Sequence, residues 1–216
     1  SQESVRPYSA LVAKTEKGQT FSYYGMKDIY SNLFIPLRGE FQLVNAATAL
    51  AAVELLAEKG FICNEDDLRR GVAETVWPGR LELLEQEPLL IMDGAHNPEA
   101  MKKLAEALPV YFNYNRLILV IGILADKDKE AMLRSILPLA DTVIFTKPLI
   151  SRAAEPGQIA AFAVEKLGFS TEYHVIADYG EALDKAMLLA APDDAVIVTG
   201  SLYTVSDIRA YRVRDR

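Results

Sequence analysis

Residues 89–98 read Leu-Leu-Ile-Met-Asp-Gly-Ala-His-Asn-Pro, a short apolar run that passes through a polar turn into the start of a helix. Four consecutive apolar residues predict a strand that is covered on both faces. Asn97 is a favourable helix N-cap, and Pro98 suits the first helical position. Ligands of open α/β sheets bind outside the carboxyl ends of the strands, so Asp93 and His96 lie where a ligand would bind. Asp and Asn are also common as plain turn and capping residues, and both interpretations stay open at this point.

The alternation of strand and helix continues towards the C-terminus. Further strands are predicted at about Leu117–Ile121, Thr142–Phe145, Tyr173–Ile176 and Ala195–Thr199. Helices are predicted at about Pro98–Leu108, Asp128–Leu137, Pro156–Leu167 and Tyr179–Ala190. This pattern predicts an α/β fold, Rossmann-like, with a mostly parallel sheet and helices on both faces. Leu81–Leu84 is expected to add an antiparallel edge strand.

The N-terminal part of the chain follows a different pattern. Its predicted elements are strands at Tyr8–Lys14, Thr20–Tyr24 and Leu33–Leu37 and a helix at about Glu40–Lys59. These elements offer no obvious complete core, so we expect residues 1–62 to be the incomplete remnant of an α/β central domain. Residues 63–80, which include a short helix and a Trp-Pro-Gly-Arg sequence, are predicted to be a linker. The C-terminal domain is then predicted to span residues 81–216.

Composition limits the classes of function. The 216 residues carry 23 basic and 30 acidic side chains, a net charge of −7, which argues against a nucleic-acid or anionic-membrane partner. The single cysteine, Cys63, permits no intramolecular disulfide and no cysteine zinc site, and we expect it to be a small core residue. The longest apolar run, residues 117–125, is about half of what a membrane helix needs. The expected location is therefore the cytoplasm.

The usual nucleotide motifs are absent from these residues. There is no Gly-x-x-x-x-Gly-Lys-Ser/Thr phosphate loop and no Gly-x-Gly-x-x-Gly turn between a strand and a helix. Polar residues do follow the other predicted strands, among them Lys127 and Ser201, and together they outline one rim of the sheet. Arg80 in the linker could supply that rim with a planar donor for phosphate or carboxylate, although a plain surface arginine is the default explanation.

Several motifs, in order, resemble one enzyme family. They are Gly39-Glu40-Phe41-Gln42 with Asn45-Ala46, Trp77-Pro78-Gly79-Arg80-Leu81-Glu82, Asp93-Gly94-Ala95-His96-Asn97-Pro98, Gly122 with Asp126-Lys127-Asp128, Arg152-Ala153, and Val198-Thr199-Gly200-Ser201-Leu202-Tyr203. This order is similar to the C-terminal half of folylpolyglutamate synthase/dihydrofolate synthase, within the Mur ligase superfamily. Peptidoglycan ligases and cyanophycin synthetase usually carry a tyrosine in place of Gly94, which favours the folate enzymes. Phe41 departs from the pattern, because a histidine is frequent there.

The resemblance implies a chemistry and a set of roles. ATP would phosphorylate a carboxylate of folate or dihydropteroate, and the amino group of L-glutamate would attack the acyl phosphate to form an amide. Asn45, Arg80 and Asp93 would contact ATP, while His96, Ser201 and Lys127 would face glutamate. The resemblance assigns no certain catalytic residue and no metal ligand here, because the phosphate loop and the magnesium ligands belong to the N-terminal ATPase domain. This fragment alone is therefore expected to be inactive.

Two alternatives remain at this stage. One is another Mur-type ligase with a cell-wall or cyanophycin substrate. The other is a non-catalytic Rossmann-like binding module, which the absent phosphate loop permits.

Overall fold

The computed structural model describes residues 6–214 and divides the chain into two compact units, residues 1–77 and 78–216. The boundary lies inside the segment 63–80 that was predicted as a linker. The short helix of that segment belongs to the first unit, because Leu68 on this helix is buried in that unit's core.

The first unit combines an antiparallel sheet with two helices. Its elements are β1 (Tyr8–Thr15), β2 (Gly18–Tyr24), β3 (Ile29–Ile35), α1 (Phe41–Ala57) and α2 (Glu65–Ala73). The predicted hairpin and the long helix are confirmed. The third strand begins earlier than predicted, because Ile29 and Tyr30 pair with the end of β2. The expectation for Cys63 was wrong, since this side chain is exposed.

The second unit has a six-stranded sheet. Its elements are β4 (Glu82–Gln86), β5 (Leu89–Met92), α3 (Pro98–Tyr111), β6 (Leu117–Ile121), α4 (Lys129–Ile136), β7 (Thr142–Phe145), α5 (Pro156–Leu167), β8 (Glu172–Val175), α6 (Tyr179–Leu189), β9 (Ala195–Thr199) and α7 (Leu202–Arg214). The spatial order is β4-β5-β9-β6-β7-β8, with β4 antiparallel to β5 at one edge and the other pairings parallel. The predicted mostly parallel α/β sheet and its antiparallel edge strand are confirmed.

Helices cover both faces of this sheet. The apolar side chains of α3, α4 and α5 pack on one face, while those of α6 and α7 pack on the other. Strand β9 lies between β5 and β6, and the helix after β9 packs on one face of the sheet while the helices after β5 and β6 pack on the other. The carboxyl ends of β5, β9 and β6 therefore form a topological switch point, the usual place for a ligand crevice in such sheets.

Two features of this unit differ from the sequence-based expectation. Helix α3 continues through Pro109, because Tyr111 at its end is buried in the core. Helix α7 was not predicted, because its apolar residues do not gather along one side of the helix, although Val205 and Ile208 are buried. Within residues 6–214, no helix is both long and apolar enough to cross a membrane.

Candidate functional site

Backbone hydrogen bonds bring the turns after three parallel strands together. The N–H of Gly200 after β9 donates to the carbonyl oxygen of Ala95 after β5, at 3.2 Å. The N–H of Gly122 after β6 donates to the carbonyl oxygen of Thr199, at 3.1 Å. Gly200 has a φ of +102°, and a Cβ there would lie 2.7 Å from the oxygen of Gly122, so only glycine permits this approach. The three turns thus form one continuous rim.

Asp93 lies at the β5 end of this rim and is almost completely covered, with 6% of its surface exposed. One carboxylate oxygen accepts a hydrogen bond from the N–H of Leu81 and the other accepts one from the N–H of Ala95, both at 2.9 Å. Burial raises the pKa of Asp93 to about 6, against the opposing effect of these two N–H groups and the nearby charge of Arg80. The carboxylate therefore joins the segment before β4 to the turn after β5.

The segment before β4 is tied to the same turn by one further contact and to β4 itself by another. The carbonyl oxygen of Gly79 accepts a hydrogen bond from the N–H of Gly94 at 2.8 Å, and the N–H of Gly79 donates to Glu82 at 2.8 Å. Glu82 also forms a bidentate ion pair with Arg209 of α7. Leu81 is buried and has a φ of +47°, a left-handed conformation that is unfavourable for leucine. The surrounding contacts hold this conformation in place.

Arg80 lies between the two residues that carry these ties. Its guanidinium is close to the backbone of Gly94, since a Cβ on Gly94 would be 2.9 Å from Arg80 Nη1 and would collide with Leu202. Among residues 6–214, Arg80 has no hydrogen-bond or ion-pair partner. It is therefore a half-buried cation that is available to an anionic ligand at the rim.

His96 lies in the same turn, just before α3. Its Nδ1 is 2.8 Å from the carbonyl oxygen of Gly94, which can only accept, so a neutral ring carries its proton on Nδ1. Asn97 caps α3 by accepting from the N–H of Ala100, as predicted. In the described part of the chain no group bonds Nε2 of His96, which leaves this atom as an acceptor for a ligand.

Ser201 is covered rather than open. Its hydroxyl accepts from the N–H of Thr204 at 3.0 Å, which is the pattern of an N-cap for α7. Thr204 donates its hydroxyl proton to the carbonyl oxygen of Gly122, so the Ser201 proton is directed to Thr204 at 2.7 Å. Ser201 thus fixes the start of α7 against the rim, and its hydroxyl proton is already used.

Lys127 follows β6 on the same rim. Its ammonium group is 3.6 Å from the carboxylate of Asp126, which Arg152 also pairs with at 2.9 Å. Burial opposes ionisation of Asp126, but its own backbone N–H and these two cations lower its pKa overall. Lys127 is therefore partly neutralised at the edge of the site.

Asn45 lies in the first unit, on α1, and is exposed. Its Nδ2 donates to Oε1 of the buried Gln42 at 2.8 Å, so the Oδ1 atom of Asn45 is left as an acceptor. The rim of the second unit thus includes Arg80, Asp93, His96 and Ser201. Lys127 lies further along the loop after β6, and Asn45 belongs to the other unit.

Magnesium does not fit the side chains that are described. Residues 6–214 contain no group of three or more His, Cys, Asp or Glu side chains that could hold a metal ion. Asp93 has both oxygens bound to backbone N–H groups, and it faces Arg80 rather than a second carboxylate. No step of the chemistry below therefore relies on a metal held by these residues.

Three residues that shape the site were missed by the sequence analysis. They are Leu81, Glu82 and Thr204. Leucine gives no signal for a positive φ, and Glu82 could only be placed in the edge strand. The Ser-x-x-Thr spacing of Ser201 and Thr204 was the one available signal, because it is compatible with a helix cap.

Comparison with known proteins places the site in a family. Residues 79–202 match the family described as Mur ligase, glutamate ligase domain. The chain is 32% identical over 213 residues to a dihydrofolate synthase/folylpolyglutamate synthase of Mycobacterium tuberculosis, covering 92% of this chain and 44% of that protein. It is 33% identical over 206 residues to a folylpolyglutamate synthase of Lacticaseibacillus casei, covering 94% and 46% of the two chains.

Solved structures give the same result. A Mycobacterium tuberculosis folylpolyglutamate synthase complexed with ADP has a TM-score of 0.83 and 31% identity, and the match covers 94% of this chain and 47% of that one. The Escherichia coli FolC protein in complex with DHPP and ADP has a TM-score of 0.81 and 29% identity, covering 98% and 47%. The chain thus spans slightly less than half the length of these relatives.

Proposed function

This chain belongs to the Mur ligase family, and from that membership we propose that it forms the glutamate ligase part of an ATP-dependent ligase that adds L-glutamate to folate. One observation carries the proposal. The unpaired guanidinium of Arg80 lies over the Asp93–His96 turn, inside the segment that matches the glutamate ligase domain. Relatives that are about one third identical over most of this chain are folylpolyglutamate and dihydrofolate synthases.

The proposed reaction has two steps. A carboxylate oxygen of folate or dihydropteroate attacks the γ-phosphorus of ATP, and ADP leaves, which gives an acyl phosphate. The amino nitrogen of L-glutamate then attacks the acyl carbon, loses a proton, and expels inorganic phosphate as the amide forms. The first step replaces the carboxylate oxygen, a poor leaving group, by phosphate, a good one. The protein's task is to hold the reactants in line and to stabilise the charge on the phosphate.

The nucleotide is assigned to three residues. A guanidinium can bind phosphate oxygens through two parallel hydrogen bonds, and Arg80 has no competing partner among residues 6–214. The Oδ1 atom of Asn45 can accept from the amino group of adenine, with the carboxamide oriented by Gln42. Asp93 is the third residue assigned to the nucleotide, because it lies beside Arg80.

Glutamate is assigned to His96, Lys127 and Ser201. Nε2 of His96 can accept a hydrogen bond from the substrate ammonium group. Lys127 can attract a substrate carboxylate, in competition with Asp126. Ser201 would contribute by fixing the N-terminus of α7, whose first N–H groups favour an anion. The expected partners are therefore ATP, L-glutamate, folate or dihydropteroate, and an ATPase domain that supplies a phosphate loop and the magnesium ligands.

The test is ATP-dependent transfer of labelled glutamate. The gene product translated from its natural start is given dihydropteroate, tetrahydrofolate or a muramoyl acceptor in separate reactions, with the 216-residue chain run in parallel. We expect the label in a pteridine product, and none with the 216-residue chain alone, because it contains no phosphate loop. Label in the muramoyl acceptor alone would replace folate by a cell-wall substrate. If no acceptor receives labelled glutamate, the ligase proposal is refuted.

A cytoplasmic location is also proposed, because the chain has a single cysteine, and fractionation of cells tests it.

A further inference from the structure

We propose that Thr199, the last residue of β9, is a further glutamate-binding residue, whose hydroxyl donates a hydrogen bond to a carboxylate oxygen of the substrate. The proposal rests on the function proposed above, because that function assigns L-glutamate to this end of the sheet. It adds one residue, with a hydroxyl that is not yet used, to His96, Lys127 and Ser201.

The first argument is the position of Thr199 below the start of α3. Side chains alternate along a strand, and Ile197 of β9 belongs to the core cluster that includes α3, α4 and α5. Thr199 therefore faces the same side of the sheet, beside its partner Ile121 on β6, which lies in the same cluster. Helix α3 joins β5 to β6, so it crosses over β9 on this side, and its first turn lies at the carboxyl ends of the strands.

The second argument is the state of the hydroxyl. Thr199 has no exposed surface, and within residues 6–214 its Oγ1 atom has no hydrogen-bond partner. Two neighbouring hydroxyls, those of Ser201 and Thr204, are also buried, but they bond to each other, and Thr204 donates to the carbonyl oxygen of Gly122. A buried polar group without a partner weakens the folded protein, so such groups are rare and point to a use in another state of the molecule.

The third argument is the charge of the surroundings. Helices α3 and α7 both begin at this part of the rim, and the hydrogen bond between Gly200 and Ala95 holds their starting turns together. The N-terminal ends of helices carry partial positive charge and favour an anion. A hydroxyl beside two such ends is suited to donate its proton to a carboxylate. The ammonium group of glutamate is assigned to His96, so a carboxylate is the part of the substrate that fits Thr199.

Contact between Thr199 and glutamate requires the covering of Thr199 to open. The binding of glutamate must shift the turn after β5, or the first turn of α3, away from the end of β9. A ligand stabilises such an open state by the interactions that it makes only there, and the bond to Oγ1 is one of them. The unbonded hydroxyl thus weakens the protein before binding and gains its partner on binding.

The first experiment measures thermal unfolding of the 216-residue chain and of its Thr199→Val variant. Valine resembles threonine in shape and lacks the hydroxyl. We expect Thr199→Val to unfold about 2 °C or more above the wild type, because it no longer buries an unbonded hydroxyl. The matched control is Thr204→Val, which should unfold below the wild type, because the Thr204 hydroxyl is bonded to Gly122. A Thr199→Val variant that unfolds at or below the wild-type temperature would overturn the proposal.

The second experiment measures the dissociation constant for labelled L-glutamate, in the presence of ADP, with the gene product translated from its natural start. We expect Thr199→Val to weaken glutamate binding about 10-fold and to leave ADP binding within about twofold. Thr199→Ser keeps the hydroxyl and should bind glutamate within about threefold of the wild type. Unchanged glutamate binding in Thr199→Val, or an equal loss in Thr199→Ser, would overturn the proposal.

A double variant tests which part of glutamate Thr199 binds. The losses caused by Thr199→Val and His96→Gln should multiply, because the two residues are assigned to different groups of the substrate. A double variant that binds no more weakly than His96→Gln alone would show that Thr199 acts through His96, which would overturn the proposal.

This inference and the proposed function fail separately. A wild type that binds glutamate in this pattern but transfers none to any acceptor would refute the proposed function and leave this inference intact. A wild type that transfers glutamate, with no loss of glutamate binding in Thr199→Val, would refute this inference alone. A wild type that neither binds nor transfers glutamate would refute both.

Discussion

The replacement of Asp93 by asparagine should change how the stability of this protein depends on pH. Burial raises the pKa of Asp93 from 3.8 to about 6 in the folded protein, although the N–H groups of Leu81 and Ala95 and the charge of Arg80 oppose it. In the unfolded chain the same group has an ordinary pKa near 4. Between these two values the folded protein therefore holds a proton that the unfolded chain has released.

The sign of the effect follows from proton binding. Because the folded state binds more protons in this range, the free energy of unfolding decreases as pH rises from about 4 to about 7. A change in pKa from 3.8 to about 6, at about 1.36 kcal/mol per pH unit, corresponds to ~3 kcal/mol. The contribution of Asp93 is thus fully present below about pH 4 and is lost as pH rises through about 6.

Urea unfolding of the wild type and of Asp93→Asn, at several pH values between about 4 and 7, isolates this contribution. The free energy of unfolding of the wild type minus that of Asp93→Asn removes the contributions of the other titrating groups. This difference should fall by ~3 kcal/mol as pH rises across the range. A difference that stays constant, or that rises with pH, would refute the assignment of a raised pKa to Asp93.

Asp194→Asn is the matched control. Asp194 is also buried, which opposes its ionisation, but Arg116 and two backbone N–H groups lower its pKa overall. Its contribution is therefore lost only as pH falls below about 4. The difference between the wild type and Asp194→Asn should stay constant between about pH 5 and 7.

Two further predictions concern the rim. His96→Gln should raise KM for glutamate at least about 10-fold in steady-state kinetics and leave KM for ATP within about twofold. The reason is that Nε2 of His96 is assigned to the amino acid. Equal changes in both constants would contradict this assignment. Gly200→Ala should lower the free energy of unfolding by about 2 kcal/mol or more, because φ of Gly200 is +102° and the new Cβ would approach the oxygen of Gly122. The control, Gly157→Ala, should change the free energy of unfolding by less than about 0.5 kcal/mol. Thermal unfolding of the two variants tests this, and equal stabilities would contradict it.

Short-range patterns predicted most elements of the second unit correctly. An apolar run followed by Asp-Gly-Ala-His-Asn-Pro gave β5, the turn and the cap of α3, because strands, turns and caps depend on a few adjacent residues. Helix α7 escaped prediction because its apolar residues do not gather along one side of the helix. The motif of residues 93–98 indicated a ligand site but not both backbone partners of Asp93, because Leu81 lies outside that motif.

The sequence by itself determined the α/β class, the strand that leads into the turn, and the residue types Arg80, Asp93 and His96 on which the proposed ligand site rests. Only the tertiary structure decided that β9 inserts between β5 and β6, that Asp93 is bound to Leu81, and that Ser201 is covered. The physical reason is distance along the chain. Propensity and periodicity act over a few residues, whereas Asp93 and Leu81 are brought together across a whole β hairpin, and Gly122 and Thr204 across several strands and helices.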